Sequence, residues 1–185
     1  MRKLVAWELI SVDGVMETPE QWASSFSDDE MNEANATGMA NSDALLLGRK
    51  TYESLAAFWP NQPGGTPMVD HINSVRKFVV STTLEDDLEW NNSSLIGGGG
   101  GNVAREIAEL KRQPGKGITV LGSGVLVRSL LGEGLLDELT LMVHPLVLGS
   151  GKRLFDVGVR ETLELVDATA FGSGVVSLVY RPSAG

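Results

Sequence analysis

Cysteine is missing from the 185-residue chain, and histidine occurs only twice, at His71 and His144. Disulfides, thiolate zinc sites and cysteine nucleophiles are therefore excluded, and two separated histidines with no H-E-x-x-H pattern make no metal site. No G-x-S-x-G elbow occurs, so acyl-transfer chemistry of that type has no nucleophile. Cations are scarce as well, with Lys plus Arg at 15 against 24 Asp plus Glu and a formal net charge of −9. Sequence-independent binding to nucleic acid needs clustered Lys and Arg to displace counterions, so a nucleic-acid partner is not expected. No apolar run approaches the roughly 20 residues that span a bilayer, and Glu8 interrupts the first apolar segment too early for a signal peptide. The expectation is a cytoplasmic protein with no membrane partner.

What is present is a globular composition, 42% hydrophobic and 21% charged, in a length suited to one domain over residues 1–185. The most informative stretch is Asp43 to Ser54, in which a buried-type strand ends on Gly48 and Arg49-Lys50-Thr51 follow at once. A strand that stops on glycine and passes into a helix offers free backbone N–H groups to an anion at the carboxyl edge of a sheet. Two adjacent cations would reinforce that site. The competing reading is an ordinary strand–turn–helix with solvated surface charges.

Residues 3–10 read as a first strand, followed by an Asp13-Gly14 turn. Residues 17–26 lack periodicity and carry Pro19, Trp22 and Phe26, which suits either a lid over a site or a seal on the core. Ser27 with Glu30 has the spacing of a capping box for a helix reaching about Ala40. Further strands are expected over 43–47, 76–80, 94–96 and 118–121, with helices over about 51–57, around 68–75 and after Asn102. The glycine run 97–101 fails the dinucleotide fingerprint, since position 102 is asparagine, and reads as a flexible linker. Gly122-Ser123-Gly124 makes a second strand–glycine–helix corner, Val125 and Leu126 opening its helix. His144, ahead of Pro145, reads as a packed polar group. After Gly134 the pattern becomes β-rich, with a hairpin around Gly172-Ser173. Together these predict an α/β fold of three layers: a mostly parallel central sheet, helices on both faces, and an antiparallel C-terminal hairpin.

In this order the segments resemble the dihydrofolate-reductase-like superfamily. Within it the chain is most like the reductase domain of the bifunctional riboflavin-biosynthesis deaminase–reductase and its stand-alone bacterial relatives. The resemblance rests on Ser11-Val12-Asp13-Gly14, Leu47 to Glu53, Lys77 to Ser81, Leu110-Lys111 with Pro114-Gly115, and Val120 to Leu126. Gly134 to Leu139 and Pro145 to Phe155 complete it. No deaminase domain or zinc-ligand set accompanies them.

The resemblance implies NADPH as cofactor, gripped at Gly48, Arg49, Lys50 and Thr51. It places Ser81 and Thr82 near the 2′-phosphate, and Gly122, Ser123, Gly124, Val125 and Leu126 beside the pyrophosphate and nicotinamide. It makes the loop from Val12 to Trp22 a cover for the nicotinamide and Asp13 a candidate substrate anchor, although an Asp-Gly turn former reads equally well there. A homodimer and a small-molecule substrate are further expectations. The implied reaction is hydride transfer to a pyrimidine-like or pteridine-like molecule, similar to the reductase step of riboflavin biosynthesis. The alternative is a nucleotide-binding or interaction protein that kept the fold without the chemistry. Dihydrofolate itself is disfavoured, because Asp28, Asp29 and Glu30 lie in no apolar pattern that would raise their pKa values. Nor does the sequence present an evident cation pair for a ribose phosphate.

Overall fold

Six parallel strands carry the fold, and the most buried of them are the apolar runs that the sequence offers as strands. A computed structural model describes residues 1–84, 88–155, 158 and 160–183; part of the irregular 84–96 stretch, residues 85–87, lies outside these. The chain runs β1 (Leu4–Ser11), α1 (Asp29–Ala40), β2 (Ser42–Gly48), α2 (Arg49–Phe58), α3 (Pro67–Ser74), β3 (Arg76–Val80) and β4 (Ser93–Ile96). It continues as α4 (Val103–Arg112), β5 (Gly117–Val120), α5 (Gly124–Gly132), β6 (Glu138–His144), β7 (Leu163–Ala170) and β8 (Val176–Pro182). One sheet holds all eight strands in the order β4-β3-β2-β5-β1-β6-β8-β7. Pairing is parallel from β4 through β6 and antiparallel where β8 joins β6 and β7. The expected architecture is thus the observed one.

Alternation along β2 shows why the sheet needs cover on both sides. Ala44 and Leu46 enter a cluster with Ile107, Leu110, Val127 and Leu130 of α4 and α5. Leu45 and Leu47 point the other way, to Tyr52 of α2, Ile72 of α3 and Trp90. All four are at most 2% exposed, and full burial of each leucine contributes about 1.5–3 kcal/mol. A strand buried on both faces reads as a continuous apolar run, which is the form this one takes.

Three local expectations change. The cap of α1 is Asp28 rather than Ser27: its Oδ1 accepts the Met31 N–H at 2.7 Å, while Ser27 Oγ bonds Asn32. A carboxylate is the stronger acceptor at a helix N-terminus. Asp28 Oδ2 also accepts the Ser173 N–H at 2.7 Å, so the cap fastens α1 to the β7–β8 turn. Helix α2 starts at Arg49 itself, with Gly48 as its N-cap, two residues earlier than expected. The glycine run is a short 3₁₀ turn over Gly98–Gly100 instead of a loose linker; Gly97 donates to Glu106 at 3.2 Å, and Asn102 caps α4 as expected.

Asp28→Ala should cost about 1–2 kcal/mol in a urea unfolding series, and Ser27→Ala less than about 0.5 kcal/mol, because only Asp28 holds the cap and the turn together. Equal losses for the two substitutions would refute this assignment.

Candidate functional site

Strand order brings the two glycine corners together. Strands β2 and β5 are neighbours, Leu46 opposite Val120, and both stop at the same edge of the sheet. Helices α2 and α5 therefore start side by side. Gly48 N–H donates to the Gly122 carbonyl at 3.1 Å, which joins one corner to the other. A Cβ on Gly48 would lie 2.8 Å from Ser123 Oγ and 3.2 Å from its backbone nitrogen, so only glycine permits this approach. Gly122 has φ +74°, and its bond to Ser123 is cis. A Cβ there would meet Thr51 Oγ1 at 3.2 Å. Among the described residues no side chain caps the N-terminus of either α2 or α5. Both helices thus keep unsatisfied N–H groups at one point on the sheet edge.

A cleft of about 1740 Å³ runs from the starts of β2 and β5, at Ser42 and Gly117, across Trp7 and Leu9 to this edge. Arg49, Lys50, Thr51, Gly122, Ser123, Gly124 and Val125 line it; Gly48 and Leu126 are buried behind them. Trp7, Leu9, Met39, Leu55 and Trp59 form an apolar wall elsewhere in the same cleft. The volume exceeds the roughly 300–1,000 Å³ of a site for one small ligand because the cleft takes in both edges of the sheet. Arg49 is exposed and pairs with Glu53 at 3.2 Å within α2, so it can swing toward an anion at little cost.

Other residues singled out from the sequence lie differently. Ser81 and Thr82 follow β3, next to the end of β2, outside the cleft lining. Ser81 Oγ accepts the N–H groups of Thr83 and Leu84 at 3.1 and 3.0 Å, while Thr82 is exposed. Asp13 is tied into a loop clasp. Its carboxylate accepts from Ser11 Oγ at 2.7 Å, Leu148 N–H at 3.0 Å and Gly149 N–H at 2.9 Å. These bonds, the Ser11 hydroxyl foremost, hold its pKa down to about 2. Arg153 adds a bond to the Asp13 carbonyl at 3.0 Å, and the clasp fixes residues 145–153 against the loop after β1.

The two halves of that loop lie in different places. Met16 to Glu20 edge the cleft, whereas Trp22 and Phe26 turn inward onto the buried His144 ring, with centroids 5.2 and 6.0 Å away. His144 is 1% exposed and hydrogen-bonds the Met142 carbonyl, and burial lowers its pKa. It is a packed polar group, as its sequence context suggested.

Sequence reasoning missed the cations that the fold delivers from elsewhere. Arg128 of α5 and Lys152 and Arg153 of the clasped loop line the same cleft as Arg49 and Lys50. No linear pattern announces such a convergence. It also missed Glu8. This side chain is 4% exposed, and its Oε1 accepts the Gly122 N–H at 2.7 Å. Burial pushes its pKa up to about 8, with the Gly122 bond working in the opposite direction. A signal existed: Glu8 shares the period-2 face of Leu4, Ala6 and Ile10, all buried.

The family model described as the RibD C-terminal domain matches residues 2–177. The chain belongs to the RibD C-terminal domain family. It is 36% identical over 143 residues to the uncharacterized protein YyaP of Bacillus subtilis (strain 168), covering 75% of this chain and 73% of that protein. A putative riboflavin biosynthesis protein from Shewanella sp. PV-4 superimposes with a TM-score of 0.75 at 20% identity, over 98% of this chain and 99% of that one. Dihydrofolate reductase from Enterococcus faecalis, complexed with NADP(H), gives a TM-score of 0.63 at 14% identity, over 98% and 97% of the two chains. These two structures establish the shared fold.

Gly48→Ala should leave the chain folded but weaken it by about 1–3 kcal/mol in denaturant unfolding, since Ser123 must be pushed away. An unchanged midpoint would show that the corners tolerate separation. Glu8 supplies a second test. Its folded pKa of about 8 lies above the 4.5 of the free side chain, so over that interval the folded chain keeps a proton that the unfolded chain has released. Its contribution is greatest below pH 4.5, declines as pH rises toward 8 and then levels off. Relative to Glu8→Gln, wild type should lose on the order of 1 kcal/mol per pH unit across that range, read from unfolding midpoints. Parallel pH profiles would overturn it.

Proposed function

We propose that this chain is an NADPH-dependent reductase that passes a hydride to a flat pyrimidine-like or pteridine-like molecule. The observation that carries the reading is the meeting of two uncapped helix N-termini, at Gly48 and Ser123, under a cleft lined by Arg49 and Lys50. Such a corner suits the phosphates of a dinucleotide. The glycines fit this use, since side chains at Gly48 or Gly122 would occupy the space between the corners.

On this reading the residues divide into distinct tasks. The N–H groups of α2 and α5 and the Thr51 hydroxyl take the phosphates, and Ser123, Gly124 and Val125 flank the nicotinamide end. Arg49, with Ser81 and Thr82 beyond it, faces the 2′-phosphate. The bound cofactor supplies the hydride. Trp7, Leu9 and Met39 give the hydride acceptor an apolar bed, and the edge from Met16 to Glu20 screens the reacting atoms from water. Asp13 anchors the substrate indirectly, by fixing the clasped loop that brings Lys152 and Arg153 to the cleft. Asp29 and Glu30 are exposed at the start of α1 and the half-buried Asp28 is spent on its cap, so among the described residues this end of α1 offers no buried free carboxylate for a pterin ring. That favours a riboflavin-pathway type of acceptor over dihydrofolate. The proposal includes a homodimer, which light scattering checks.

Titration with NADPH should change the fluorescence of Trp7 and Trp59, both of which line the cleft. Arg49→Ala should weaken NADPH by about tenfold and NADH by less than about twofold, as expected when one charge-assisted bond to a phosphate is removed. Equal losses would remove Arg49 from the 2′-phosphate, and a flat titration would end the NADPH reading. Oxidation of NADPH, followed by absorbance with riboflavin-pathway and folate-like acceptors, tests turnover. Binding without turnover on any of them would favour a protein that kept the fold alone.

A further inference from the structure

Glu8 is a buried carboxyl for which neither the fold nor the proposed hydride transfer has a direct use. It sits on β1, next to β5 in the sheet, and its bond to the Gly122 N–H spans 114 residues of sequence. The same Gly122 accepts from Gly48 through its carbonyl and packs against Thr51. One carboxyl oxygen therefore holds the residue that joins both phosphate corners.

Its electrostatic setting is unusual. Among the described residues no cation pairs with it. Most of the basic side chains lining the cleft are engaged elsewhere: Arg49 with Glu53, Lys152 with Glu17, Arg153 with Asp13, Arg128 with the Leu154 carbonyl, Arg2 with Asp43, Lys3 with Glu138 and Lys116 with the Ala40 carbonyl. Lys50 lies exposed in the first turn of α2. On β6, the Glu8 partner is the apolar Leu141, and Glu138 at the start of that strand pairs with Lys3 and Arg181. An ionised Glu8 would thus share its corner with any bound phosphate and have no counter-charge of its own.

We propose that Glu8 is a positioning residue which, in its protonated form, holds the Gly122 corner for the cofactor and so couples cofactor binding to the uptake of one proton. This rests on the reading of the cleft as an NADPH site. The proton comes from solvent and stays on the carboxyl; no bond to the cofactor forms. A neutral Glu8 still accepts the Gly122 N–H through its carbonyl oxygen, while an ionised one adds repulsion beneath the phosphates. Since burial sets Glu8 near 8, the free protein ionises over pH 7–9.5 while the loaded protein stays protonated. The phosphates of NADPH are already ionised in that range: the pyrophosphate groups each carry a single strongly acidic proton, and the 2′-phosphate, a monoester, has a second pKa of about 6. Lys77, lowered to about 8 by burial, also titrates there, but it stands on β3, bonded to the Asn73 and Asn91 carbonyls, and is retained in the Glu8 variants.

The test is NADPH affinity at pH 7, 8, 9 and 9.5 for wild type, Glu8→Gln and Glu8→Leu, with a thermal melt of each protein at each pH to confirm folding. Wild-type affinity should fall by about thirtyfold from pH 7 to 9.5, whereas Glu8→Gln, an acceptor that cannot ionise, should vary by less than about twofold. Glu8→Leu leaves the Gly122 N–H unpaired and should bind about tenfold more weakly at every pH. If Glu8→Leu does not fold, the glutamine comparison decides alone. Equal pH slopes for wild type and Glu8→Gln would overturn the proton coupling and leave the NADPH site standing. Absence of NADPH binding by wild type at every pH would overturn both.

Discussion

The hydrogen bond from Gly48 N–H to the Gly122 carbonyl is the constraint on which the site depends. It forms only because β2 and β5 are parallel neighbours ending at one level, so that two chain reversals meet over a single sheet edge. The rest of the fold can be seen as serving that meeting. Strand β2 is buried on both faces by α4, α5, α2 and α3, which fixes its position within the sheet to side-chain packing distances. Glycines at 48 and 122 remove the side chains that would hold the corners apart. The result is a concentration of helix N-termini, and hence of positive potential, in a protein whose overall charge is −9.

Glu8 shows that the arrangement carries a cost. A carboxyl on the packed face of a central strand would be replaced by an apolar side chain if stability alone mattered. Its single N–H partner does not offset the loss of hydration, and the group is therefore held protonated near neutral pH. Lys77 is a contrasting solution to the same problem. It is fully buried as well, but two carbonyls accept from its ammonium and the Trp90 ring lies 4.4 Å away. The lysine is satisfied within the second core and secures the residues around Trp90 to β3. The glutamate is bonded to the Gly122 corner at the edge of the cleft.

The periphery follows a similar logic. Asp13 sits in an Asp-Gly turn and its backbone could form that turn unaided. Its carboxylate instead reaches residues 148 and 149 and draws the Gly-rich connection after β6 over the cleft. Trp22 and Phe26 anchor the facing loop to His144, so its edge from Met16 to Glu20 is supported from below. Loops on both sides of the cleft are thus fastened to the sheet at one end while their rims stay at the surface.

The sequence by itself determined the elements and their kind. Local periodicity is a property of adjacent residues, so the strand at Leu45-Leu46-Leu47, the amphipathic α4 with its Asn102 cap and the C-terminal hairpin could all be read directly. The order of the segments also carried the family, and with it the Gly48 and Gly122 corners. Caps and ends shifted by a residue or two where a distant partner intervened, as when Ser173 engaged Asp28. Only the tertiary structure decided which corners touch, which cations share the cleft and what Glu8 does. Those facts depend on contacts between residues far apart in the chain, such as Glu8 with Gly122 or Asp13 with Gly149. Such pairs leave no periodic trace, because strand order, rather than local spacing, brings them together.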